Sequence, residues 1–74
     1  MMNTTLKSIK EVRAYVEDVR ASADGGDYEA AHDIEDMLYI ALLTEIASGE
    51  CPDPKQYAKE ALETQKLEFP RWCA

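Results

Sequence analysis

The run MLYIALL, Met37–Leu43, constrains this chain more than any other feature. Seven consecutive apolar residues cover every side of about two helical turns. A helix that is apolar all round asks for burial all round. The run is too short to cross a bilayer or to serve as a secretion signal, so it belongs to a folded domain. The periodicity places it in the second half of a helix over about residues 27–48, which Gly49 stops. In a chain of 74 residues there is room for one small domain. Such a domain hides only about 60% of its unfolded surface. The helix is therefore either the central element of a small bundle or one face of an oligomer seam. Ten of the apolar residues are alanines, which fill little volume, and a second copy is a natural cover for the remainder.

Two more helices flank it. Leu6, Ile9, Val12, Val16, Val19 and Ala23 recur at steps of three and four, one stripe of a helix over about 5–23. Asn3, Thr4 or Thr5 is the expected cap, and Gly25 or Gly26 the stop. Lys10, Arg13, Glu17 and Arg20 lie off the stripe, with Arg13–Glu17 and Glu17–Arg20 as ion pairs at helical spacing. After GECPDPKQ, Asp53 caps a third helix over about 54–66, with Pro54 in its first turn. Tyr57, Ala58, Ala61, Leu62 and Gln65 are its expected inner stripe, and Lys59–Glu63 an outer pair. Pro70 forbids continuing the helix through Phe69. The tail, 67–74, carries Leu67, Phe69 and the only tryptophan, Trp72. A marginal core needs such side chains, so the tail is expected to be ordered and packed back onto the bundle; a docking peptide for a partner is the alternative. The fold class is all-α: a three-helix domain with a central apolar helix 2 and an ordered C-terminal tail.

The net charge of −7 is concentrated. Residues 24–54 hold nine acids and no lysine or arginine, while each flank carries four bases and three acids. An acidic middle disfavours nucleic-acid backbones, which need a cationic patch, and anionic membrane surfaces. Helices 2 and 3 do not make a DNA reader either, because the connecting turn is long and helix 3 is almost neutral. Cys51 and Cys73 lack any metal or redox spacing and read as free thiols. The expected location is the cytoplasm.

Within the acidic middle, DYEAAHDIED (27–36) holds five carboxylates and the only histidine. Glu29 and His32 have the spacing by which one helix offers two ligands to a carboxylate-bridged metal pair. Such a centre needs a second copy of the motif and two further glutamates, which the chain lacks. The preferred reading is an acidic helix start, where the dipole favours negative charge. No nucleophile has a base at hand, and DGGD would repel a phosphate, so no catalytic residue and no cofactor is expected. What remains is recognition. Asp27, Glu29, Asp33, Glu35 and Asp36 form a candidate face for a basic partner, with Phe69, Arg71 and Trp72 as tail contacts of the residue types that dominate interfaces. A small-molecule or nucleotide binder at a homo-oligomer interface is the runner-up. It would need Lys7, Lys10, Arg13, Arg20 or Arg71 to converge.

HDIEDMLYIALLTEIASGE followed by AKEALETQKLEFPRWCA resembles the shared portion of a family of small proteins of tailed-phage and prophage genomes. The likeness lies in the ED pair leading into an apolar helix, the IASGE stop, the EAL-T helix and the terminal F-RW-A. It covers about the last two thirds of the chain, and residues 1–26 add nothing to it. The resemblance implies a bacterial cytoplasm during infection or lysogeny. It implies an accessory protein that binds and redirects a host or phage protein, host defence enzymes included, and it carries over no catalytic residue. The composite expectation is a non-enzymatic binding protein, self-associating as a dimer through MLYIALL surfaces.

Overall fold

The computed structural model describes Leu6 and residues 8–71. These form three α-helices, α1 (Ile9–Asp24), α2 (Tyr28–Ser48) and α3 (Pro54–Ala61), and a 3-10 segment, Leu62–Lys66, that continues α3. Among the described residues there is no strand, and the all-α reading holds. No described helix is long and apolar enough to cross a membrane.

Each helix starts and stops for a local reason. The α1 cap is Ser8, not the residues at 3–5, which lie outside the described part. The Ser8 N–H donates to the Glu11 carboxylate at 3.1 Å, one arm of a capping box. Gly26, at φ +81°, takes the left-handed turn after α1. The Asp27 carboxylate accepts from the Ala30 N–H at 3.1 Å and caps α2. Gly49, at φ +80°, ends it, and Asp53 caps α3 with Pro54 in the first turn.

The α1 stripe packs as its spacing requires. Leu6, Val12, Val16 and Val19 are buried, and α1 lies along α2 and against α3, while α2 and α3 share a shorter seam. The main core adds Leu38, Ala41, Leu42, Tyr57 and Ala61. A second, smaller core forms where α1 turns into α2. Val19 and Ala31 meet Phe69 there, with Ala23, Ile34 and Leu67 at its margin.

Two expectations fail. Helix 3 does not stay α-helical to residue 66. A 3-10 turn aligns side chains three apart, so Thr64 follows Ala61 inward. Thr64 is fully buried, its hydroxyl bonded back to the Ala61 carbonyl at 3.2 Å, while Leu62 and Gln65 swing outward. Helix 2 is not enclosed either. Ile40 and Leu43 fall on the side of α2 opposite its buried residues Ala31, Leu38 and Leu42, and are 62% and 65% exposed. The surface ion pairs also regroup. Glu17–Arg20 is present at 3.4 Å, but Arg13 reaches across to Glu60 on α3 at 3.0 Å, and Glu63 pairs with Lys66 at 3.0 Å rather than with Lys59.

Candidate interaction surface

The residues proposed for partner contact separate into two groups. Glu35 is not on the acidic face: it is 2% exposed. The α-helical period explains the correction, because Ala31, Glu35, Leu38 and Leu42 share the buried side of α2. Arg71 of the tail meets it with two parallel bonds, Nε to Oε1 at 2.8 Å and Nη2 to Oε2 at 3.0 Å. The same guanidinium donates to the carbonyls of Thr64 (2.9 Å), Leu67 (3.2 Å) and Phe69 (3.4 Å). It also lies over the Phe69 ring, 3.9 Å from the centroid, and that ring stacks on Tyr28. Gln65 completes the knot, donating to Glu35 at 3.3 Å and to the Tyr39 hydroxyl at 2.8 Å, and Tyr39 in turn is bonded to Thr64. Bidentate pairing of this kind fixes orientation as well as energy.

The protonation of Glu35 follows from these contacts. Burial alone pushes its carboxyl up. The hydrogen bonds and charge of Arg71, helped by Thr64 and His32, outweigh burial, and the group lies below the ordinary glutamate range. The bond to Glu35 holds Arg71 above its ordinary value in turn. Phe69 and Arg71 are thus spent inside the molecule, and a docking peptide made of them would first have to break this lock. Trp72 and Cys73 lie outside the described residues.

Asp27, Glu29, Asp33 and Asp36 remain exposed, with Asp27 acting as a cap. His32 Nε2 is 3.6 Å from an Asp36 carboxylate oxygen, and its Nδ1 is buried without a partner. Among the described residues no three of His, Cys, Asp and Glu gather into a metal-holding group. The cations that a ligand binder would need do not converge within one chain. Arg71 points inward, Arg13 and Arg20 pair with Glu60 and Glu17, Lys10 stands in solvent, and Lys7 is outside the described part.

The surface gains a feature that reading the acidic start and the apolar run separately had missed. Glu29, Asp33, Asp36, Ile40, Leu43 and Ala47 are all exposed, and their spacing alternates four and three. That is the spacing of a coiled-coil seam, acidic in its first half and apolar in its second. Beside it, Tyr39, Leu42 and Leu43 of α2 face Ala58, Ala61 and Leu62 across an apolar groove of about 290 Å³. Leu62, 56% exposed, forms its far rim. The signal was present in the sequence as that unbroken alternation, and the fold exposes it because it runs opposite the buried side of α2.

No family model, no curated protein and no solved structure matches this chain.

Proposed function

We propose that this protein is a non-enzymatic binding module that engages other protein surfaces through the outer stripe of α2. The observation that carries the reading is the stripe itself: Glu29, Asp33 and Asp36 leading without a break into Ile40, Leu43 and the groove. Exposed apolar surface of this kind marks interaction sites, and it supplies affinity. The acids beside it steer a basic partner and reject acidic ones. The biological setting rests on the sequence resemblance: an accessory factor in the bacterial cytoplasm that modulates a host or phage protein. The acidic half of the stripe supports a target with a basic surface. The tail enters this reading as structure, because Phe69 and Arg71 hold α1, α2 and the 3-10 segment together.

The test is site-specific photo-crosslinking in a bacterial host, with the crosslinker at position 43 and a control at Asp18 on the outer side of α1. A defined foreign protein captured from position 43, absent from position 18 and lost on Asp33→Lys/Asp36→Lys, is the expected result. Equal capture from both positions, or none from position 43, refutes the reading.

A further inference from the structure

Two unlike exposed ridges flank the groove, and the difference names its occupant. On the α2 side the exposed stripe runs from Asp33 and Asp36 to Ile40 and Leu43. On the α3 side Lys55, Lys59, Leu62 and Lys66 are exposed at spacings of four, three and four. The groove's own lining is apolar, Leu42 and Leu43 against Ala58 and Leu62; the charges stand on the ridges beside it, acids on α2 and lysines on α3. They complement each other, yet within one chain they cannot meet, because the groove lies between them. Lys55 and Lys59 enter none of the ion pairs among the described residues, and Lys66 has only the exposed pair with its near neighbour Glu63.

We infer that the groove is filled by a second copy of this chain, α2 of each copy lying on α3 of the other about a two-fold axis that runs along the groove. This rests on the reading of the α2 stripe as a binding surface and gives that surface its first partner. A closed two-fold contact requires a patch that is its own complement. A rotation about the groove exchanges the walls and keeps the level along the helices. The chain's own contacts set those levels: Tyr39 is bonded to Thr64, and Leu43 faces Ala58 and Leu62. The rotation therefore brings Leu43 of one copy to Ala58 and Leu62 of the other, where the alanines leave room for it. Asp33 and Asp36 come to the level of Lys66. Two copies of an acidic chain would repel if their acidic stripes faced each other; this arrangement sets Asp33 and Asp36 against Lys66 instead. Stacking α2 on α2 would not.

The experiment is sedimentation of the full chain across a dilution series, repeated on variants and on a mixture, with circular dichroism confirming that each variant is folded. Wild type should form a dimer, or an assembly of dimers, of the 8.3 kDa chain. Leu43→Glu, at an exposed position, should stay folded and weaken association more than about a hundredfold. Asp33→Lys/Asp36→Lys and Lys66→Glu should each weaken it more than about tenfold, and an equimolar mixture of the two should restore it, because both contacts of the mixed pair are then opposite in charge. A folded monomeric wild type, association that survives Leu43→Glu, or a mixture no better than its components overturns the inference. The crosslink from position 43 to a foreign protein is a separate readout, so a monomer that still captures such a partner removes the second copy and leaves the binding surface.

Discussion

The two ends of α2 reverse what their compositions suggest. The N-terminal end is rich in charge, yet it holds a closed internal contact, Glu35 enclosed and clamped by Arg71. The C-terminal end is the apolar run, yet it puts Ile40 and Leu43 in water. What separates them is cover. The tail returns over the first end, bringing Phe69 into the small core with Val19 and Ala31. The second end packs one side against α1 and α3 and leaves the opposite side, with Ile40 and Leu43, open; the 3-10 turn carries Leu62 outward as well. In a domain this small, the placement of one returning segment decides which half of a helix is core and which is interface.

The difference between the two ends of α2 depends most on the tail. Phe69→Ala should cost about 3–5 kcal/mol by emptying the smaller core, enough to unfold much of a marginal domain, read as loss of the helical signal on mild heating. Arg71→Ala should cost about 3 kcal/mol, because it leaves Glu35 charged and enclosed. Replacing the pair together, Glu35→Leu with Arg71→Met, should recover most of that loss in chemical unfolding. A double variant as unstable as the sum of the singles would mean that the pair does not act as a unit.

Acid sharpens the same contrast. Glu35 lies below its ordinary value in the folded chain, so its stabilising contribution is complete above the unfolded-state pKa, about 4.3. It is lost as pH falls through the lower folded value. Over that window wild type should lose stability more steeply than Glu35→Gln when midpoints are followed against pH. Parallel curves would remove Arg71 as the cause. Smaller again, Tyr39→Phe should cost about 1 kcal/mol, since it takes one partner from Thr64 and one from Gln65. At the open end, Ile40→Ser should change the stability of the isolated chain by no more than about 0.5 kcal/mol in the same unfolding assay.

Much of this was legible in the sequence because it was local. The valine stripe of α1, Gly49 as a stop and the Asp53–Pro54 start each depend on a few neighbours, and each stands where the pattern put it. The errors were at longer range. Glu35 sits among acids in sequence, and nothing nearby announces that a guanidinium 36 residues on will reach it. Leu62 reads as an inner residue only if α3 keeps its period, and the buried Thr64 shows that it does not. Ile40 and Leu43 stand in a run that is apolar on every side, and such a run cannot report which side its neighbours will cover. The candidate surface was therefore visible only in two unjoined pieces: Glu29, Asp33 and Asp36 were named from their charge, and MLYIALL was read as either a buried centre or a self-association seam.

Hydroxyl-radical footprinting of the dilute full chain reads both ends of α2 in one experiment. Phe69 should be protected almost as well as the core residue Leu38, while Ile40 and Leu62 should be labelled readily and become protected as concentration rises. Phe69 labelled as freely as in the denatured chain, with Ile40 and Leu62 shielded at every dilution, would contradict that contrast between the two ends.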